Sequence, residues 1–421
     1  MSKEKIMNFI EDLKWRGALN QVTDEEGLLQ AMNEGQIGAY VGTDPTADSL
    51  HLGHLIPFMV LKRFQNAGGK AVIIVGGATG SIGDPRPTTE RKLLSEEQLK
   101  ENEKGIAAQV TKLFGQNGTK IVNNADWLNT MSLPTFLRDY GKLFSINVML
   151  KKDVVASRLE TGISYTEFTY QILQAIDFLH LWQEENVRLQ IGGSDQWGNI
   201  TSGVDLIHTI EGNDAPAFGL TIPLMTDSTG KKFGKSEGNA IWLNAEKTSP
   251  YTFYQFWYNQ ADADVVKYLK YFTFLSKEEI EALEKEVAEN PGARLGQKRL
   301  AEEVTAFVHG KEAVEEAKTL SKALFSGDVA ELTVQQIKDV FSGVPGFEVA
   351  PDKQNIVDFL VNAGIEKSKR QAREDVTNGA IRINGDKVTD VDAEVDPEAD
   401  YEGQYVLVRR GKKKYFLGTV K

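Results

Sequence analysis

An α/β fold built on a parallel sheet is what the sequence predicts, and three observations carry that expectation. Apolar, strand-like runs at 37–41, 70–75 and 187–191 each lead into a polar or glycine-rich loop. A helical pattern from Leu52 to Asn66 separates the first two runs, which is the order of a βαβ unit. Each loop therefore falls at the C-terminal end of a strand, where ligands bind in sheets of this kind.

Length and composition set the bounds. A chain of 421 residues is long enough for two or three domains, and 41% hydrophobic with 26% charged residues is ordinary globular composition. The absence of cysteine excludes disulfides, a thiol nucleophile and a thiolate zinc site. Five histidines, at 51, 54, 180, 208 and 309, are too scattered for an all-imidazole metal site. The opening stretch MSKEKIMNFIEDLKWRG is charged and amphipathic, with Ile6, Phe9, Ile10 and Leu13 on one face and Gly17 as a stop. No run of about eighteen apolar residues occurs, so no membrane partner is expected and the cytoplasm is the default location. The net charge of −12 argues at first against a nucleic-acid partner. Residues 352–421 nevertheless hold 13 basic and 13 acidic side chains, so the whole excess lies upstream.

The first loop reads YVGTDPTADSLHLGHL, from Tyr40 to Leu55. His51 and His54 fall on the first turn of the helix that follows, with Gly53 between them. Free backbone N–H groups and the positive end of the helix dipole favour a phosphate there. Both imidazoles can donate to phosphate oxygens, and Gly53 lets a flat ring or a sugar lie against the backbone. The second loop, GGATGSIGDP, ends with Asp84 at the expected rim of the sheet, although Asp84-Pro85 is also a plain turn signal. The polar segment 86–94 has the composition of a flap.

Residues 96–160 read as mostly helical without a chemical signal. SYTEFTYQILQAIDFLHLW then begins with Ser164 and Glu167 as a capping box and continues as a helix apolar nearly all round. Tyr170, Gln174 and Asp177 form one polar stripe along it. Buried, that stripe needs partners, either other side chains or a polar small molecule. A phenol, an amide and a carboxylate suit an amino acid better than a sugar phosphate. GGSDQWGN (192–199) gives a third loop at a strand end, with Gly193 open to a close approach and Asp195 able to hold ribose hydroxyls. In TDSTGKKFGKSEGN (226–239), Lys231, Lys232 and Lys235 stand among glycines, followed by Ser236. A solvated basic turn and a loop that closes on a triphosphate both fit that composition. The P-loop spacing does not, being one residue short.

HLGH on the first loop, paired with KFGKS at 232–236, resembles the two signatures of class I aminoacyl-tRNA synthetases, which have a Rossmann-like catalytic domain. Tyr40, YQILQAID and GGSDQWGN make the chain similar over essentially its whole length to the bacterial-type, tyrosine-specific branch. Leu52 stands where the class has isoleucine, and Phe233-Gly234 where it usually has Met-Ser. The flap GDPRPTTER also departs from the commoner form, which leaves Arg86 and Arg91 as alternatives for the cation that closes on the substrate.

The resemblance implies that Thr46, His51 and His54 contact ATP phosphates, with Gly53 under the adenine. Asp195, near Gly193, would hold the adenosine ribose, while Lys232, Lys235 and Ser236 would hold the pyrophosphate. The tyrosine amino group would lie among Asp84, Tyr170 and Gln174, its hydroxyl would meet Tyr40 and Asp177, and Gln190 and Gln196 would lie near its carboxylate. ATP would act as Mg-ATP, with no tightly bound metal. The partners implied are L-tyrosine, ATP, tRNA(Tyr) and a second copy of the chain in a homodimer.

The domains expected are a catalytic domain at 1–225, the lysine loop with an α-helical anticodon-arm domain at 226–325, a linker at 326–350, and a small α+β RNA-binding domain at 351–421. The last is similar to a fold named after a ribosomal protein. Ser276 with Glu279 marks a helix start, and Asn384-Gly385 a hairpin turn. Lys367, Lys369, Arg370 and Arg373 lie at helical spacings that can face phosphates. Two other readings stay open: a different HxGH nucleotidylyltransferase, and a non-catalytic RNA-binding homologue.

Overall fold

The computed structural model describes residues 7–85, 94–115, 118–231, 233–236, 239–326, 329–341, 344–411 and 414–421. Arg86, Arg91 and Lys232 lie outside them, as do the side chains of Lys235 and Ser236. The chain divides into two compact units, Met1–Thr248 with Trp257–Val304, and Ser249–Phe256 with Thr305–Lys421.

The first unit holds a six-stranded sheet made of β1 (Gln21–Val22), β2 (Gly38–Thr43), β3 (Lys70–Val75), β4 (Thr119–Asn123), β5 (Val187–Gly193) and β6 (Phe218–Ile222). Their spatial order is β1-β6-β5-β2-β3-β4, all parallel except β1. The chain runs from β2 outward through β3 to β4 and returns on the other side of β2 as β5. The crevice beyond the C-terminal ends of β2 and β5 is therefore the topological switch point, the place where such sheets bind ligands. Five of six residues in β3 are buried, as expected of a strand covered on both faces.

The helix predicted from Leu52 spans Leu52–Asn66 and buries Leu52, Leu55, Phe58, Leu61 and Phe64. At the N-terminus, Asn8 and Glu11 form a full capping box, and Gly17 ends the helix Phe9–Arg16 at φ 70°. The polar-stripe helix spans Tyr165–Glu185. Ser164 caps it by accepting from the Glu167 N–H at 3.2 Å. The Glu167 carboxylate, which a capping box would turn back on Ser164, pairs instead with buried Arg158 at 3.0 Å. Within 96–160 one element departs from the helical expectation. TKIVN is the edge strand β4, too short and too exposed to show a period, and its pairing with β3 decides its state.

The second unit carries the helix Lys311–Ser326 and a five-stranded sheet. In that sheet Ile381–Ile383 pairs with Asp386–Val388 and with Tyr405–Arg410, which pairs in turn with Lys414–Val420. Asn384 and Gly385 take φ of 49° and 99°, the pair of positive values a two-residue hairpin turn requires. The stretch 326–350, expected as a linker, holds the helix Val334–Phe341 and the strand Gly346–Val349, which lies parallel to Lys414–Val420. Ile337 and Phe341 of that helix are buried. Glycine and proline mark a break in both a linker and a short loop between packed elements, and here packing decides. Lys367, Lys369, Arg370 and Arg373 are exposed, and Lys369 pairs with Asp358 at 2.6 Å.

Candidate active site

His51 is the N-cap of Leu52–Asn66, and its Nδ1 accepts from the Gly53 N–H at 3.0 Å. His54 Nδ1 accepts from the His51 N–H at 3.2 Å, and the two rings stack with centroids 3.9 Å apart. Each neutral imidazole thus carries its proton on Nε2. This narrows the expectation from sequence: backbone N–H groups hold Nδ1 of both rings, so Nε2 is the one atom of each neutral ring that can donate. A Cβ on Gly53 would come within 2.8 Å of the His51 ring, so only glycine fits beneath that imidazole.

The two signatures meet. Leu52 N–H donates to Ile241 O at 3.0 Å, and Leu243 N–H to Leu50 O at 2.8 Å. Gly234, at φ 92°, packs so closely that a Cβ there would be 3.3 Å from Leu52 Cβ and 3.4 Å from the Gly53 nitrogen. The backbone at Gly234 therefore lies on the first turn of the HLGH helix. Thr46 and Asp195 are exposed at the ends of β2 and β5.

Two polar networks face the same strand ends. In the buried one, Asp177 accepts from Trp127 Nε1 at 2.7 Å and from Asn124 Nδ2 at 2.9 Å. Asn124 also donates to Thr79 Oγ1 at 2.9 Å, Thr79 donates to Asp44 Oδ1 at 2.8 Å, and Tyr170 donates to Asp44 Oδ2 at 2.8 Å. Burial pushes the Asp177 carboxyl up to about 7, against the pull of its two donors and with the help of the Asp44 charge. Burial, then the neighbouring carboxylates, pushes the Tyr40 and Tyr170 hydroxyls well above the usual phenol range. Tyr40 on β2 pairs in register with Gln190 on β5. Both are buried, and neither the Tyr40 hydroxyl nor Gln190 Oε1 has a hydrogen-bond partner among the described residues.

The second network is half-exposed and rich in amides. Asp84 accepts from Gln196 Nε2 at 2.8 Å and from Asn199 Nδ2 at 3.2 Å. Gln174 donates to Gln196 at 3.3 Å and accepts from Asn199 at 3.1 Å. Tyr170 thus bonds to Asp44, and Gln174 belongs with Gln196 and Asn199.

Sequence reasoning passed over Asp44, Thr79, Asn124, Trp127 and Asn199. Asp44 stands inside the first loop and Asn199 inside GGSDQWGN, so both were in view without a role. Asn124 and Trp127 follow β4, and without that strand nothing placed them at the sheet's C-terminal edge. Among the described residues no group of three His, Cys, Asp or Glu could hold a metal ion, and no helix is long and apolar enough to cross a membrane.

The family model of class I tRNA synthetases (W and Y) matches residues 32–326, and the chain belongs to that family. The SYY-like C-terminal domain of tyrosine--tRNA ligase matches residues 336–418. The tyrosine--tRNA ligase of Leuconostoc citreum is 78% identical over 99% of this chain and 100% of its own length. That of Lactiplantibacillus plantarum is 63% identical over the same shares. Among solved structures, a C-terminally truncated mitochondrial tyrosyl-tRNA synthetase of Aspergillus nidulans is 34% identical, with a TM-score of 0.68 over 77% of this chain and 96% of that one.

Proposed function

We infer that this chain is a tyrosine--tRNA ligase, consuming ATP to attach tyrosine to its tRNA in two steps. A carboxylate oxygen of tyrosine attacks the α-phosphorus of ATP, and pyrophosphate leaves. A hydroxyl of the terminal ribose of the tRNA then attacks the tyrosyl carbonyl, and AMP leaves. No side chain of the site is a covalent nucleophile, so positioning and electrostatics carry the chemistry. The observation that carries this reading is the floor of the crevice, where the buried Tyr40 hydroxyl has no hydrogen-bond partner among the described residues and feels the charge of Asp177. A phenol entering there would donate to the Asp177 carboxylate and accept from Tyr40.

The remaining roles belong to the same proposal. Asp84, Gln174 and Tyr170 would receive the ammonium, and Gln190 and Gln196 would lie by the carboxylate. His51, His54 and Thr46 would hold the phosphates of ATP, which enters as its magnesium salt. Asp195 with Gly193 would hold the ribose, and Lys232, Lys235 and Ser236 the departing pyrophosphate. The basic residues 367–373 and the rest of the C-terminal domain would grip tRNA, and the chain would work in the cytoplasm. Leu133, Leu137, Ile146, Val148, Leu159 and Tyr165 leave a large apolar area exposed within 133–165, which suits a homodimer.

The test is tyrosine-dependent ATP–pyrophosphate exchange. His51→Ala and Lys235→Ala should each lower kcat more than they raise KM, by roughly 2–4 kcal/mol of activation free energy if each acts like an oxyanion contact. Unchanged exchange in both variants would overturn the assignment. A chain ending near residue 326, ahead of the helix and strand that pack on the C-terminal sheet, should still activate tyrosine yet charge tRNA poorly.

A further inference from the structure

The helix Asp262–Phe272 presents one face to the lysine loop. Asp264, Lys267, Tyr268 and Phe272 share that face at helical spacings, and each meets the loop. Asp264, 4% exposed, accepts from Ser228 N–H at 3.0 Å and from Ser228 Oγ at 2.7 Å. Lys267 donates to Thr226 O at 2.5 Å and pairs with Asp264 at 3.3 Å. The ring of Phe233, only 7% exposed, sits in a cage of Tyr268, Phe272 and Trp257, with centroids 4.9, 5.0 and 5.6 Å away. Phe233 N–H also donates to Met225 O at 3.1 Å. The next residue is Gly234, the one that lies on the HLGH helix.

The far end of the same helix is tied to the HLGH helix. Arg63, near the end of Leu52–Asn66, donates to the carbonyls of Lys270, Tyr271 and Thr273. Arg16 donates to those of Lys270 and Leu275 at 2.9 and 2.8 Å, and Asp12 pairs with both arginines. Cationic donors at a helix C-terminus satisfy its orphan carbonyls and complement its dipole. One rigid strut thus joins the histidine signature to the segment that carries the lysines.

We propose that Phe233 and Asp264 are positioning residues for adenylate formation, fastening the lysine loop to the helix Asp262–Phe272 so that its cations meet the ATP phosphates. This rests on the reading of Lys232 and Lys235 as phosphate ligands. The cage is what an apolar side chain inside a polar glycine-rich loop is for. With Phe233 buried and its N–H bonded, the backbone at Phe233 and Gly234 cannot swing as a free turn does, and the entropy of ordering it is spent before ATP arrives. Tyrosine binds on the other side of the crevice and gains nothing from the anchor.

The experiment uses the full-length chain and measures tyrosine-dependent ATP–pyrophosphate exchange, with tyrosine binding followed separately by equilibrium dialysis. Phe233→Ala should lower kcat by on the order of ten- to a hundredfold while tyrosine affinity stays within about twofold. Phe233→Met should recover most of the rate, since a flexible thioether can fill the same cage. Asp264→Ala should lower kcat by a smaller factor with the same split, and it carries the test if Phe233→Ala does not fold. Lys235→Ala is the reference. If it is inactive while Phe233→Ala and Asp264→Ala exchange at the wild-type rate, the anchor is refuted and the phosphate reading stands. If Lys235→Ala keeps full exchange, both fall. Loss of tyrosine affinity along with kcat, unrescued by methionine, would mean that Phe233 only supports the fold and would equally overturn the inference.

Discussion

Asp177 and Asp84 stand at opposite ends of one binding crevice and are treated in opposite ways by the fold. Asp177 is 3% exposed, receives an indole and an amide donor, and has another carboxylate, Asp44, close enough to repel it. Asp84 is half-buried at the rim and takes two amide donors. A carboxylate at the rim can greet an ammonium ion that arrives with part of its water. A buried one has lost its hydration, so a neutral phenol that donates one good bond is worth far more to it, and a benzene ring in that place leaves it stranded. Under the roles proposed for these two residues, the fold separates holding an amino acid from choosing which amino acid. The difference lies in burial, since the residue type is the same.

That separation breaks in measurable ways. The largest effect should come from Asp177→Asn, which puts an amide NH2 against the Trp127 or Asn124 donor. It should cost about 1.5–3 kcal/mol of tyrosine-over-phenylalanine preference in kcat/KM. Asp84→Asn should raise KM for both amino acids by about 1–2 kcal/mol, the lower value reflecting its exposure, and leave their ratio unchanged. A changed ratio in the Asp84 variant, or an unchanged one in the Asp177 variant, would erase the distinction.

Tyr40→Phe sharpens the picture, because it should act in two directions. It should lose about 0.5–1.5 kcal/mol of the preference for tyrosine. It should also stabilise the free protein by ~1 kcal/mol, seen as a higher urea midpoint, because it removes a buried hydroxyl without a partner. The smallest effect is the pH dependence. The folded Asp177 carboxyl keeps its proton to about pH 7, while an unfolded one releases it near the ordinary value of 3.8. The folded state binds the extra proton in that window, so this contribution to stability is full below it and lost as pH rises through it. Urea midpoints measured from pH 5 to 8 should fall more steeply for the wild type than for Asp177→Asn. The preference for tyrosine should rise over the same range, as the acceptor gains its charge.

Three of the sheet's parallel strands, β2, β3 and β5, were legible in the sequence because a strand buried on both faces writes its state as an unbroken apolar run, as 70–75 does, while β6, broken by Gly219 and Thr221, was not. The stripe Tyr170, Gln174 and Asp177 was legible for a related reason: three polar groups in line on a largely apolar helix have few explanations. What binds that stripe from the protein side was not. Asn124 and Trp127 come from the short helical turn after β4, whose residues are half-buried or exposed and make sense only against β3. Asp44 shows the same limit, for its role depends on Tyr170, 126 residues away. Local pattern announces an element, while the partner that satisfies a buried polar atom is a matter of tertiary distance. The segment 326–350 failed differently, since its glycines and proline punctuate packed structure as readily as a tether.

The pairing of β2 with β5 has a consequence for how the chain is made. Gly38 lies against Val187 and Tyr40 against Gln190, so the two halves of the crevice floor come from segments about 150 residues apart in the chain. At about 5–20 residues per second, a ribosome needs on the order of ten to thirty seconds to deliver the second half after the first. Over that interval the β2 edge, with buried Ala39, Tyr40 and Val41, has no partner on one side and offers the open backbone that other chains can pair with. Slow synthesis between residues 43 and 187 would lengthen that exposure, and a nascent chain stalled there would make the histidine-capped helix without the second half of the crevice floor.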